Sequence, residues 1–455
     1  MKKYSPVTSQ DRQLFYRYKN VSDLSLSGVM YVDGDLNFEI IKQSVNLCLE
    51  YYPILSSKIV VGKFRLKWER RNDLAKFNIC QLVEIENNET KIENEIQNFL
   101  LDSVAPWPNQ LGEDTGPIVK VKLIKVLGST LNILCLKSHH AASDAVGLKE
   151  VSYKMAEFYN KLLENPEYKL EAPLNYSRSM LEVIKKLKPL HFAGIVKRSF
   201  KEKKIADNIP RVKGFPVITG NTDDRMFLNY QISKEKFEKI KKYAKDRGAT
   251  FNDMMNALFG YATLKEFGDG VGEPIIFYNP IDLRRYNPET YKREGPRNLS
   301  SCTVFDINPE PHLNFDDILA KCSHETKLLS KDMLGLGLIF EVAYRTFRTN
   351  FKLVNDLDVK WKKIVKFCEN GGKLFLPIFL SNSGIIEDEK LIFGGSKAID
   401  MYLIPPMYFH SLLFVFSSFQ KQVTVSVGFS DANNTKLRID RFYKIIDDEI
   451  NRIIL

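Results

Sequence analysis

Five prolines, at positions 166, 173, 189, 210 and 216, fall in one stretch between Glu164 and Asn221, and most of the chain's excess positive charge falls there too. Proline has no N–H to give a helix or a sheet ladder, and it restricts the residue before it, so so dense a run interrupts regular structure. The stretch separates two segments, each long enough for its own core. A length of 455 residues points the same way, because one core serves roughly 100–200 residues. The expected division is residues 1–175, a basic connector over 176–225, and residues 226–455.

Both flanking segments read as alternating strands and helices, an α/β pattern. In the first, Ser25–Asp33 is strand-like, and Phe38, Ile41, Val45 and Cys48 recur at helical spacing up to Pro53. Val119, Val121 and Leu123 alternate with Lys120 and Lys122, Gly128-Ser129 signals a hairpin, and LNILCLKS returns as its more buried partner. A helix is expected from about Asp144, with Leu148, Val151, Met155, Phe158 and Leu162 on one face. In the second, KEKFEKIKKYAKDRG predicts a helix ended by Gly248. Thr250 then caps FNDMMNALFGYATLKEF, with Asp253 completing a capping box. Strands are expected at IIFYNPI, TVFDI, LFLPIFLS, LLFVFSS and VTVSVGF, and a closing helix at LRIDRFYKIIDDEINRI.

Several classes are excluded. A composition of 44% hydrophobic and 27% charged residues is that of a globular protein rather than a disordered or fibrous one. The six cysteines are scattered without a CxxC, which argues against a zinc ribbon or disulfide framework and for a reducing, cytoplasmic setting. The opening MKKYSPVTSQDR has no apolar run behind it, so a secretory leader is not expected. Residues 401–420 carry no Asp, Glu, Lys or Arg, but they include His410, Pro405-Pro406 would break a spanning helix, and LLFVFSSF reads as a buried strand. The net charge is +10, yet ten Lys/Arg against two acidic residues lie between Lys185 and Lys213. That local +8 suggests an anionic partner or a solvated connector rather than a nucleic-acid binder. LEVIKKLKPLHFAGIVKRSF also interleaves apolar residues with lysines, so peripheral membrane contact through 185–213 is an expectation.

The chemistry concentrates at Ser138-His139-His140-Ala141-Ala142-Ser143-Asp144-Ala145-Val146-Gly147, where a buried strand meets a helix. Adjacent residues at a strand end point to opposite sides, so one imidazole can enter a cleft while the other packs inward. Neutral imidazole is a suitable general base near neutral pH. The small Ala141, Ala142 and Ser143 leave room for a ligand. On the residues alone, catalysis, a structural cluster and a metal site all remain open, the last without a third ligand at a familiar spacing.

HHAASDAVG resembles the HHxxxDG motif of the acyltransferase superfamily that includes chloramphenicol acetyltransferase, nonribosomal peptide condensation domains, alcohol acetyltransferases and polyketide-associated acyltransferases. YYPILSSKI, ATFNDMMNALFGYAT, NPIDLRRY and LSNSGII resemble further elements of that superfamily, in order along nearly the whole chain. The resemblance implies two chloramphenicol acetyltransferase-like domains, each a mixed sheet with flanking helices, meeting at a V-shaped interface with a central tunnel. It also implies a stand-alone acyltransferase that moves an acyl group from an acyl-CoA or carrier-protein thioester to an alcohol or amine acceptor. No permanently bound cofactor and no metal are implied; the donor is a CoA or phosphopantetheine thioester.

By the same resemblance His140 is the general base and His139 packs structurally. Asp144 pairs with Arg284, and Gly147 supports the motif loop. Ser143, Asn252, Asp282, Ser381 and Asn382 are candidates for the tunnel or acceptor side. Backbone N–H groups after Asp144 are candidate oxyanion donors. One departure is Ala145 where the superfamily has glycine, which would narrow the pantetheine path. A free-standing condensation enzyme using carrier-bound substrates, a catalytically silent carrier-recruiting relative and a hydrolase remain as alternatives.

Overall fold

The structure, a computed structural model, describes residues 4–455 apart from 18–20, 62–65, 106–113, 115, 208–211, 220–222, 269–272, 288, 290–294, 309, 311–312, 332–333, 338–358, 360–361, 409–410 and 433–434. The alternating patterns become strands β1 (Ser25–Asp33), β2 (Cys80–Glu86), β3 (Val119–Leu127) and β4 (Leu131–His139) in the first segment. The second supplies β5 (Arg225–Ile232), β6 (Ile275–Asp282), β7 (Ser300–Ile307), β8 (Ile378–Ile386), β9 (Ile392–Phe393), β10 (Ser396–Ile404), β11 (Leu413–Phe419) and β12 (Gln422–Ser430). The helices that matter for the site are α1 (Ser9–Arg17), α2 (Phe38–Tyr51), α3 (Glu89–Leu101), α4 (Ala145–Glu164), α5 (Leu181–Ile184), α6 (Pro189–Asp207), α7 (Lys234–Asp246), α8 (Phe251–Phe267), α9 (Phe315–Lys331) and α10 (Thr435–Ile454).

Two six-stranded mixed sheets carry the fold. The first runs β9-β10-β1-β4-β3-β2, with β2 parallel to β3 and the other pairs antiparallel. The second runs β5-β12-β11-β8-β6-β7, with parallel pairs β8–β11 and β6–β8. The first sheet is therefore completed by strands from the second segment: β10 pairs antiparallel with β1 from Lys397–Asp33 to Ile404–Ser27. No sequence pattern had singled out β10.

Each sheet buries its own core. Against the first, α2 and α4 bring Ile41, Val45, Leu148, Val151, Met155 and Phe158 onto Met30, Leu134 and Leu136. Met401, Leu403, Val415 and Phe419 from the second segment join that core. In the second, Phe259 of α8 meets Phe414 and Phe442 at ring-centroid distances of 5.0 and 5.3 Å. The expected cap on α8 forms in full. Thr250 Oγ1 accepts from the Asp253 N–H, and the Asp253 carboxylate accepts from the Thr250 N–H.

The connector is not a solvated crossing. Its residues 189–207 form α6, whose inward face buries Ile195, Arg198, Glu202 and Ile205. Arg198 Nη2 donates to the Val304 carbonyl at 2.6 Å, and Glu202 Oε1 accepts from Thr303 Oγ1 at 2.6 Å and the Val304 N–H at 3.2 Å. Arg198, counted among the connector's surface charges, thus belongs to the interior beside β7. Lys213 is likewise buried, its ammonium donating to the Gly268 carbonyl. Of residues 401–420, Met401–Ile404 end β10 and Leu413–Phe419 form β11, while His410 lies outside the described residues. Among the described residues no helix is long and apolar enough to cross a membrane.

Candidate active site

Strand β4 ends at His139, and a short turn delivers the chain to Asp144, the N-cap of α4. The strand is firmly held. Lys137 is fully buried, and its ammonium donates to the carbonyls of Phe99, Leu100 and Asp102 at 2.7–3.0 Å, capping the C-terminus of α3. His139 shares the alternating face of Lys137 and is buried. Its Nδ1 accepts from the Ala141 N–H at 3.1 Å, and burial, with a smaller push from His140, lowers its pKa to about 3. A ring that accepts there and resists protonation is a neutral structural group.

His140 differs. It is half-buried, and its Nδ1 lies 2.9 Å from the Ser143 carbonyl oxygen. A carbonyl can only accept, so Nδ1 carries the proton and Nε2 is left with its lone pair. Burial lowers the pKa of His140 below 6.5, against the raising effects of the Ser143 carbonyl and the Asp144 charge. The result is a neutral imidazole with a fixed tautomer and a basic nitrogen at neutral pH.

Asp144 and Arg284 are brought together across the two sheets. Arg284 lies in the single turn Leu283–Tyr286 that follows β6, and its guanidinium grips Asp144 with both forks, at 2.8 and 3.1 Å. Both side chains are buried. Burial alone would raise the Asp144 carboxyl, but the Arg284 charge and the N–H donors of Leu299 (2.9 Å) and Gly147 (3.0 Å) outweigh it, and the pKa lies below 3.8. Arg284 is held charged, its pKa raised despite burial by Asp144 and Asp282.

The remaining candidates separate. Asp282 is a support for Arg284: its Oδ1 accepts from the Arg284 N–H at 3.0 Å and from Nη1 at 3.1 Å. Ser143, expected to face the acceptor, is fully buried and donates its hydroxyl to the Asp144 carbonyl at 2.9 Å. That corrects the acceptor-side reading, because the small side chain closes the turn on itself. Gly147 is a packing requirement. A Cβ there would stand 2.4 Å from Ser143 Oγ and 3.0 Å from Pro296 Cα. Its N–H is also spent on Asp144 Oδ1, which removes it as an oxyanion donor. Asn252 and Asn382 form an exposed pair, Asn382 Nδ2 donating to Asn252 Oδ1 at 2.7 Å. Ser381 is half-buried on β8 opposite Val415.

Three residues that hold the site carried no readable signal in the sequence. Asn298, buried just before β7, donates to the carbonyls of His140 at 2.8 Å and Ala141 at 3.0 Å. Arg178 donates to the carbonyls of Ala141 and Ala142, both at 3.0 Å, while its fork grips Asp11 at 2.7 and 3.1 Å. Lys149 of α4 donates to the carbonyls of Ser383 and Ile385, which the bulge between Asn382 and Gly384 turns toward it. Burial lowers its pKa to about 8. The lone Asn in PRNLSS and the lone Arg in NYSRS have no periodic partner, so only the folded loops reveal them. Glu150, also unread, accepts from the Gly295 N–H at 3.1 Å, and burial raises its pKa to about 7.

No model of a known protein family matches the chain. Among curated proteins it is similar to gramicidin S synthase 2 of Brevibacillus brevis, 21% identical over 375 residues; the match takes in 77% of this chain and 8% of the synthase. Among solved structures it is similar to the first condensation domain of the calcium-dependent antibiotic synthetase (TM-score 0.68, 12% identity, 99% of this chain and 97% of that one). TRI3 trichothecene 15-O-acetyltransferase from Fusarium sporotrichioides gives a TM-score of 0.71 at 12% identity, over 99% and 96% of the two chains. The epimerization domain from the third module of tyrocidine synthetase B gives 0.66 at 13%, over 98% and 95%. The chain has the chloramphenicol acetyltransferase-like fold that these proteins share, as the motif resemblance implied.

Proposed function

We propose that the protein is an acyltransferase or condensation-type enzyme that moves an acyl group from a thioester donor to a hydroxyl or amine, with His140 as the general base. The observation that carries this reading is the Nδ1–H bond from His140 to the Ser143 carbonyl, which leaves Nε2 unprotonated. The proteins of the same fold include an O-acetyltransferase and a condensation domain, which supports acyl transfer in a coarser sense. The epimerization domain shows that this fold also serves another reaction, so the base and its tautomer weigh more than the fold.

In the proposed step the acceptor places its O–H or N–H on His140 Nε2. The proton passes to Nε2 as the acceptor oxygen or nitrogen bonds to the thioester carbonyl carbon, giving a tetrahedral oxyanion. Its collapse re-forms the carbonyl and breaks the C–S bond, and the imidazolium returns the proton to the leaving thiolate. Such base catalysis contributes roughly 10²–10⁴-fold. The buried Asp144–Arg284 pair, with Asn298 and Arg178, fixes the backbone that presents the imidazole. These are positioning residues. The donor is an acyl-CoA or an acylated carrier protein, and His139 and Gly147 are structural, through packing and the hydrogen bonds of the turn.

A condensation-type enzyme that takes carrier-bound substrates is the second reading, favoured by the likeness to a condensation domain and to gramicidin S synthase 2. Offering the same acyl group on CoA and on a phosphopantetheinylated carrier separates the two.

The test is a panel of acyl thioesters and acceptors, with release of free thiol followed by a dye. His140→Ala should lower turnover by roughly 10²-fold or more with the far-ultraviolet dichroism unchanged. Because the base must be unprotonated and burial lowers its pKa, kcat/KM should fall on acidification with a midpoint below 6.5. Near wild-type turnover in His140→Ala, or, with a hydroxyl acceptor, an acid limb above 6.5, rules the assignment out.

A further inference from the structure

Helix α6 has a buried face and an exposed face. Its inward face is pinned beside β7 by Ile195, Arg198, Glu202 and Ile205. On the outward face, Ala193, Val196, Phe200 and Lys203 succeed one another at helical spacing, with Leu190, Lys197 and Lys204 alongside; all are exposed. The apolar members protrude: Leu190 is 87% exposed, Phe200 72% and Val196 45%, with Leu181 of α5 at 57%. Lys185, Lys186 and Lys188 on the turn between the helices are exposed as well. Of the two acidic residues in this helix, Glu202 is turned inward onto Arg198, and Asp207 is its last residue.

We propose that the outer face of α6 seats the protein on an anionic lipid surface. Its Leu, Val and Phe side chains are exposed. A bilayer interface accepts such a row directly: apolar side chains enter the acyl boundary while the lysine stems reach back to headgroup phosphates. Helix α6 has 19 residues. At a rise of about 1.5 Å per residue it is long enough to lie flat in that interface with several lysines engaged. Its inward ion pair holds the outward face at a set angle to the body of the protein. The inference is independent of the acyl-transfer reading.

Co-sedimentation of the full chain with vesicles tests it. Binding is expected to phosphatidylcholine vesicles containing about 30 mol % phosphatidylglycerol, to weaken steeply with added salt, and to be slight for phosphatidylcholine alone. Leu190→Gln with Phe200→Gln should lower partitioning by roughly 10-fold or more, since two apolar anchors leave the acyl boundary. Lys197→Gln, Lys203→Gln and Lys204→Gln together should weaken binding and flatten its salt dependence. These positions are exposed, so circular dichroism should match the wild type. Leu127→Gln, exposed at the end of β3, should bind as the wild type does. Absence of binding to the anionic vesicles, or binding that survives both sets of substitutions, overturns the proposal. Binding of an acidic carrier protein that these substitutions abolish, without vesicle binding, would assign the face to a protein partner and overturn it equally.

Discussion

Two adjacent histidines acquire opposite roles from their hydrogen bonds. His139 accepts a backbone N–H inside the fold, and His140 donates to a carbonyl and keeps its other nitrogen basic. What holds that difference is the Asp144–Arg284 pair, because Asp144 also caps α4 and accepts from Leu299. Removing one partner of such a buried pair strands the other charge and typically costs ~3–5 kcal/mol. Asp144→Ala and Arg284→Ala should each unfold at lower denaturant. The double variant should cost clearly less than their sum, since the second substitution removes the stranded charge. Chemical denaturation of the four proteins checks this, and strict additivity would mean the contact contributes nothing.

At the scale of elements, the N-terminus of α4 and the strap formed by residues 295–299 are one unit. Pro296 and Arg297 run close enough to Gly147 that no side chain fits there. The strap then supplies the Arg297 carbonyl to the Asp144 N–H, the Leu299 N–H to its carboxylate, and Asn298 to the turn. Gly147→Ala should push the strap away and destabilise the protein by roughly 1–3 kcal/mol, the usual range for overpacking. Because Asn298 holds the His140 carbonyl, turnover should fall along with the melting temperature. A thermal melt and the thiol-release assay on the same variant check both. An unchanged melting temperature would show that the strap yields freely.

The whole molecule is more interlocked than two segments and a connector. Strand β10 completes the first sheet, and Met401 and Leu403 lie in the first core. Lys149 of α4 holds carbonyls of β8, and Arg284 reaches Asp144 from the far side. A fragment of residues 1–225 therefore lacks β9 and β10, leaving the edge of β1 unpaired and part of its core uncovered. Such edges promote association. The fragment should be aggregated or poorly folded by circular dichroism and analytical ultracentrifugation, whereas its co-expression with residues 226–455 should give a soluble complex. A stable, monomeric 1–225 fragment would show that the crossing strand is dispensable.

Local features of the sequence were enough for the strand-to-helix junction at His139–Asp144, the cap at Thr250 and most strands around the two cores. Alternation, helical spacing and capping act between neighbours in the chain. The partnership of Asp144 with Arg284, 140 positions apart, was visible through resemblance alone, and the structure supplies its two-pronged geometry. Tertiary structure by itself decided the rest. Lys149 meets Ser383 across 234 positions, and Arg178 and Asn298 find the motif turn from stretches with no periodicity. Strand β10 joined a sheet whose other long strands lie far earlier in the chain. A basic, proline-bounded stretch became a packed helix because Arg198 and Glu202 could pair with each other and with β7 in the interior. Burying polar groups is favourable only when their partners arrive from elsewhere in the fold, and a linear pattern carries no record of that arrival.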